Sequence, residues 1–114
     1  MNAVIYCRVD GPQTSFAIDA IRGQQVCLTD YAKKHGMEIA GIYLDVGYTG
    51  RTMERPGLCS VIQAVKDGSA DVILVANRNR LFRGHFPKEL QGLPVVFLKE
   101  QNRKTEKGGM SHDL

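Results

Sequence analysis

Residues Asp71–Ala76 (DVILVA) form the most apolar run of the chain, and this run decides the fold. A short, uninterrupted apolar segment is typical of a strand that is buried on both faces, as in a parallel sheet. An arginine-rich segment, Arg78–Arg83 (RNRLFR), follows it almost directly. The pattern predicts a central strand whose carboxyl end carries a cluster of positive charge.

Segments of the same kind lie on both sides of this strand, separated by amphipathic stretches. Strands are predicted at Ala3–Cys7, Glu38–Leu44 and Pro94–Leu98, and helices at 16–35 and 56–67, where apolar residues recur at helical spacing. The segment 80–91 is weakly patterned because Gly84 and Pro87 interrupt it. This order of elements predicts an α/β fold, a three-layer sandwich around a mainly parallel central sheet.

Length and composition fit one folded domain. The chain has 114 residues, of which 43% are hydrophobic and 24% are charged, as in ordinary globular proteins. Residues 1–100 are predicted to form the domain, and residues 101–114, which lack periodicity, are expected to be a disordered basic tail. No apolar run approaches the roughly 20 residues that span a bilayer, so we expect a cytoplasmic protein with no membrane partner. Cys7, Cys27 and Cys59 lack the spacing of a metal or redox site.

The positive charge is unevenly distributed. Residues 1–77 contain 7 Lys and Arg against 8 Asp and Glu, whereas residues 78–107 contain 8 against 3. The second stretch therefore has a balance of +5 (8 minus 3) and would attract a polyanion. A solvated basic surface with no ligand is the alternative interpretation.

Polar side chains cluster where the predicted strands end: Arg8 and Asp10 after the first strand, Asp45 after the second, and Arg80 and Arg83 after the third. The carboxyl ends of parallel strands meet at one edge of a sheet, so these groups are expected to converge there. If the chain is helical at 80–83, both arginines lie on one helix face and suit an oxyanion. The alternative is that Arg8 pairs with Asp45 and the other arginines are solvated.

These residues also carry a resemblance to a known family, the serine recombinases of the resolvase/invertase type. Segments similar to their N-terminal catalytic domain occur in order along the chain: Tyr6–Asp10 (YCRVD), Gln24, Tyr31-Ala32, Asp45–Gly50 (DVGYTG), Arg55-Pro56 and Arg80–Arg83 (RLFR). Each motif alone is weak, but their order and spacing together are specific.

The resemblance implies an activity and roles for particular residues. In that family a serine after the Y-x-R-V segment attacks a DNA phosphodiester, and the resulting phosphoseryl ester is then attacked by the partner strand's 3′-hydroxyl. By resemblance, Arg8, Arg80 and Arg83 match the phosphate-binding arginines, and Asp45 matches an active-site carboxylate. Arg55 and Gln13 match further DNA-binding positions. The resemblance implies DNA as the substrate, with no metal or cofactor.

The chain departs from the family pattern at groups that matter for catalysis. Asp10 stands at the nucleophile position, and Asn79 stands where an aspartate is expected. Residues 84–94 are too few for the family's helix, and nothing after Glu100 resembles the dimerisation helix or the DNA-reading domain. A degenerate member is therefore expected, a pseudoenzyme without strand exchange that binds DNA weakly and without sequence preference, and whose further partner is a full-length recombinase or a second copy.

Two functions from other classes stay open at this point. Asp10 and Asp45, at adjacent strand ends, could hold Mg²⁺ in a phosphoryl-transfer enzyme. The domain could also be a non-catalytic protein-interaction module, or a purely structural homologue with no anion site.

Overall fold

The computed structural model describes residues 1–101. Its elements are β1 (Asn2–Val9), α1 (Ser15–Lys34), β2 (Glu38–Val46), α2 (Pro56–Lys66), β3 (Val72–Val75), α3 (Arg78–Leu81) and β4 (Val95–Phe97), with a 3₁₀ turn at Lys88–Leu90 before β4 and helical residues at 98–101. Residues 102–114 of the predicted basic tail lie outside the described residues.

The four strands form one sheet in the order β2-β1-β3-β4, and every neighbouring pair is parallel. One face of the sheet packs against α1, through residues such as Ile21 and Leu28, and the other face packs against α2, through Leu58 and Val61. The α/β fold with its parallel central sheet is therefore confirmed. The apolar β3 lies inside the sheet, as its sequence predicts, and its four residues are all buried.

Burial on both faces explains why the interior strands are so apolar. All residues of β1 from Ala3 to Val9 are buried, including Arg8, which is 1% exposed. The buried apolar side chains divide into two clusters, one on each face of the sheet. Because β1 runs as far as Val9, a charged side chain is carried into the core at its carboxyl end.

The segment after β3 differs from one sequence expectation. The α3 helix ends at Leu81, and Phe82 is extended with φ −157° and ψ 138°. Arg83 therefore lies beyond the helix, and the expectation that Arg80 and Arg83 share one helix face is wrong. Phe86 instead packs between Phe82 and Phe97, with ring centroids 6.5 and 6.3 Å away. This aromatic cluster fixes the short path from α3 towards β4.

Within residues 1–101, no helix has both the length and the apolar composition needed to cross a membrane.

Candidate phosphate site at the carboxyl edge of the sheet

Arg8 lies at the centre of the candidate site, next to Asp45 in the register of β1 and β2. Its guanidinium does not pair with Asp45. It forms an ion pair with Asp10 and donates to three backbone carbonyls: Nε to Arg80 at 3.0 Å, Nη2 to Asn79 at 2.6 Å and Nη1 to Tyr48 at 2.9 Å. A guanidinium has five N–H donors, so these four contacts leave about one for a ligand. The expected alternative of an Arg8–Asp45 pair is wrong.

Burial lowers the pKa of Arg8 to about 10, and the neighbouring positive charges of Arg55, Arg80 and Arg83 contribute to the shift. Arg8 still carries its charge at neutral pH. Several guanidinium groups therefore lie close together at this edge of the sheet. Their combined positive charge favours the binding of an anion there.

Asp10, at the family's nucleophile position, lies between two of these arginines. One carboxylate oxygen pairs with Arg8, and the other lies 3.3 Å from Nη1 of Arg83. The Asp10 side chain is 40% exposed and that of Arg83 is 47% exposed, so solvent reaches this part of the site. The structure thus brings together Arg8, Asp10 and Arg83, as the sequence predicted for the strand ends.

Arg80 is the free cation of the site within residues 1–101. Its backbone carbonyl accepts from Arg8, but its half-buried guanidinium makes no hydrogen bond or ion pair with another described residue. Its charge acts on the buried Cys7 thiol, yet burial dominates and raises the pKa of Cys7 to about 12. Cys7 is therefore a thiol at neutral pH and no substitute nucleophile.

Asp45 stabilises the start of α2. Its carboxylate is 1% exposed and accepts from the backbone N–H of Gly57 at 2.8 Å and of Leu58 at 3.0 Å, and from the Tyr6 hydroxyl at 2.7 Å. The N–H groups of a helix's first turn lack intrahelical partners and favour negative charge. Arg55, which precedes α2, provides no side-chain cap, so Asp45 caps this helix from a distant strand. This contact uses the carboxylate for structure.

Arg55 is also fully engaged in the interior. It is 1% exposed and donates to the carbonyls of Thr52 and Leu81 at 2.8 and 2.6 Å, and to the Tyr6 hydroxyl at 3.1 Å. Burial, with the hydrogen bond to Asp45, raises the pKa of Tyr6, so the phenol keeps its proton and can donate it to Asp45. In this position Arg55 joins the loop before α2 to the end of α3, and the geometry gives no support to direct contact with DNA.

Two polar residues on α1 or just before it have different surroundings. Gln24 is buried, and its amide bridges the backbone of Arg8: Oε1 accepts from N–H at 3.2 Å, and Nε2 donates to the carbonyl at 3.0 Å. Gln13 is exposed, and its side chain makes no hydrogen bond within residues 1–101. Gln24 was not assigned a role from sequence, although a glutamine aligned with the buried Ile21 and Leu28 is a signal of an internal hydrogen bond.

The magnesium interpretation gains no support from these contacts. Both Asp45 oxygens already accept hydrogen bonds, and both Asp10 oxygens face guanidinium groups. Nearby arginines repel a divalent cation. Within the part of the chain that the structure describes, no group of three His, Cys, Asp or Glu side chains could hold a metal ion.

Comparisons with known proteins identify the family and the fold. Residues 3–113 match the family model "Resolvase, N terminal domain". The C-terminal catalytic domain of ISC1926 TnpA, an IS607-like serine recombinase, is 25% identical with a TM-score of 0.74, over 97% of this chain and 80% of that one. The N-terminal catalytic domain of TP901-1 integrase is 26% identical with a TM-score of 0.71, over 88% and 78%.

A resolvase family site-specific recombinase from Streptococcus pneumoniae is 17% identical with a TM-score of 0.65, over 99% of this chain and 92% of that one, and shows the likeness in fold. The family model spans nearly the whole chain, and the two catalytic domains above share both fold and sequence with it. The chain therefore belongs to the resolvase N-terminal domain family.

Proposed function

We propose that this chain is a recombinase-type catalytic domain that binds DNA phosphates weakly and does not cleave the strand. The observation that carries the proposal is the position of Asp10, which follows β1 where the family resemblance expects the serine nucleophile and whose carboxylate pairs with Arg8 and Arg83. The matched structures are described as serine recombinases or an integrase, and recombinases act on DNA.

The chemistry of a carboxylate argues against strand exchange. Attack by Asp10 on a phosphodiester would form an acyl phosphate, a mixed anhydride open to hydrolysis, so the 3′-hydroxyl would find no stored ester to attack. A negative charge between the arginines also repels the phosphate that it would have to approach. Loss of a nucleophile that works as a unit with its neighbours costs roughly a million-fold in rate.

The arginines of the site can still bind DNA phosphates. Arg80 has no ion-pair partner within residues 1–101, and the side chain of Arg83 is 47% exposed. The stretch 78–107 carries a balance of +5, from 8 basic and 3 acidic residues. Contacts of this kind bind the phosphate backbone and carry no sequence information, so we propose binding without sequence preference.

The test is to trap a covalent intermediate. Purified protein is incubated with supercoiled plasmid, quenched in detergent and examined for protein–DNA adducts, with an active serine recombinase and its own site as the positive control. No adduct is expected. An adduct that disappears in Asp10→Ala would contradict the proposal. Asp10→Ser alone is expected to leave recombination at zero, because Asn79 also departs from the family pattern.

A second candidate function is association with a full-length recombinase or with another copy of this chain. Several large apolar side chains on α1 and β2 are exposed: Phe16 at 86%, Val26 at 60%, Leu44 at 44% and Ile42 at 39%. Exposed apolar groups of this size favour protein contacts when they lie together. Analytical ultracentrifugation of the chain, alone and mixed with a full-length recombinase, tests this candidate. The candidate would be contradicted if the chain sediments as a monomer in both samples and forms no complex with the recombinase.

A further inference from the structure

The two arginines on Asp10 form an anion site that the chain fills with its own side chain. We propose that the Asp10 carboxylate is a tethered anion that competes with a phosphodiester for Arg8 and Arg83. This inference rests on the proposed function, since it concerns the same DNA-binding site, and it explains why binding there is weak. The ligand class is an oxyanion that can present two oxygens to the guanidinium groups, as a phosphodiester or a sulfate does.

The carboxylate and a phosphodiester present the same groups to the arginines. One Asp10 oxygen pairs with Arg8, and the other faces Arg83 at 3.3 Å. A phosphodiester likewise carries one negative charge over two non-bridging oxygens, and guanidinium groups bind both kinds of anion. A DNA phosphate can therefore replace the carboxylate oxygen for oxygen, but only after Asp10 has moved away.

The Arg8 guanidinium and the backbone of Arg83 are held in place without help from Asp10. Three backbone carbonyls, of Tyr48, Asn79 and Arg80, fix the Arg8 guanidinium, and the backbone N–H of Arg83 donates to the Gly50 carbonyl at 2.8 Å. A Cβ at Gly50 would lie 2.7 Å from Arg8 Nη2 and 2.9 Å from Arg83 Cγ, so both side chains pack closely on this loop. Removal of the carboxylate therefore leaves the Arg8 guanidinium preorganised, with Arg83 anchored beside it through its backbone and the base of its side chain.

Asp10 itself is held only loosely by the fold. The Val9 carbonyl accepts from Gly47 N–H at 2.9 Å, a backbone hydrogen bond at the very end of β1. Asp10 lies just beyond it, 40% exposed and followed by Gly11 at φ +77°. Its carboxylate makes no other hydrogen bond to described residues. The side chain can therefore rotate into solvent while β1 and the Arg8 guanidinium stay in place.

The test measures anion binding by Asp10 variants with inorganic sulfate as the probe. Sulfate is titrated into ¹⁵N-labelled protein, and the guanidinium signals of Arg8 and Arg83 are followed by NMR. Asp10→Ala is expected to bind sulfate at least about tenfold more tightly than wild type, and Asp10→Asn, which preserves side-chain size, is expected to show the same direction. Asp30→Ala makes the same charge change on the exposed surface of α1 and is expected to behave as wild type.

Adding Arg83→Ala to Asp10→Ala should remove the gain. Equal sulfate affinity in wild type, Asp10→Ala and Asp10→Asn would overturn the inference, as would a gain that persists without Arg83 or appears equally in Asp30→Ala. Titration of a short DNA duplex separates this inference from the proposed function. If Asp10→Ala gains sulfate affinity but no variant binds DNA, the inference about Asp10 is supported and the proposed function is contradicted. If wild type and Asp10→Ala bind DNA equally tightly, only the inference about Asp10 is overturned.

Discussion

The hydroxyl of Tyr6 donates a 2.7 Å hydrogen bond to the carboxylate of Asp45 in the interior of the domain. The same hydroxyl accepts from Arg55 at 3.1 Å, so one phenol links a buried anion to a buried cation. Asp45 in turn caps α2, and Arg55 holds the Leu81 carbonyl at the end of α3. The network connects both sides of the candidate site, and its charges are satisfied within the protein.

Replacement of Asp45 should destabilise the fold strongly. Asp45→Asn removes the charge that faces the start of α2 and puts an amide donor among three donors, so the free energy of unfolding should fall by about 2–4 kcal/mol. Urea denaturation measures the change. Asp30→Asn, on the exposed surface, should stay within about 0.5 kcal/mol of wild type. A change at Asp45 no larger than that at Asp30 would contradict the capping role.

Gly57 should resist substitution because of its close approach to Asp45. A Cβ there would lie 2.9 Å from both carboxylate oxygens. Gly57→Ala should therefore cost about 1–3 kcal/mol of stability, in spite of the better helix propensity of alanine. Gly23→Ala is the matched control in α1, where no atom lies within 4 Å of the added methyl group. Gly23→Ala should stabilise the domain by about 0.5–1 kcal/mol. Thermal unfolding measures both variants, and equal changes in stability at the two positions would contradict the prediction.

Stability should decline in alkaline solution because of Cys7. Burial raises its pKa from an ordinary value of 9.0 to about 12, so the native state keeps a proton that the unfolded chain loses. The stabilisation is complete below pH 9.0 and is lost progressively as the pH rises towards 12. The free energy of unfolding is measured at about pH 8, 9 and 10, which lie on both sides of the ordinary thiol pKa. It should fall with pH in wild type and fall less in Cys7→Ala. The same slope in both proteins would refute this assignment.

Arg80 should contribute one phosphate contact to DNA binding. With about three to five contacts, the slope of log affinity against log salt should lie near −3 to −5, and Arg80→Ala should reduce its magnitude by about one. Arg78→Ala is the matched control, because Arg78 pairs with Glu100 at 2.6 Å and lies over the Phe97 ring. Fluorescence anisotropy with a duplex at several salt concentrations gives both slopes. An unchanged slope in Arg80→Ala would remove this residue from the interface.

The sequence predicts the sheet well because its strands are decided locally. The apolar run at Val72–Val75 can be satisfied only by burial on both faces, and its neighbours repeat that pattern. The convergence of Arg8, Asp10 and Arg83 follows from the same rule, since parallel strands end at one edge. Local pattern predicts both results.

The roles of Asp45 and Arg55 could not be predicted in this way. Asp45 caps α2 from a strand that ends before the loop, and Arg55 bonds to a carbonyl 26 positions further along the chain. Both contacts depend on how distant segments pack together. The prediction that Arg80 and Arg83 share one helix face was wrong for the same reason. Phe82 leaves the helix to pack in the aromatic cluster around Phe86.

The rate at which supercoiled plasmid is nicked tests the central claim most directly. This assay detects every strand cleavage, whether the linkage to protein survives or hydrolyses. Wild type, Asp10→Ala and buffer alone are expected to give the same nicking rate. Nicking by wild type that is abolished in Asp10→Ala, with the variant still folded, would show that Asp10 attacks DNA and would contradict the account.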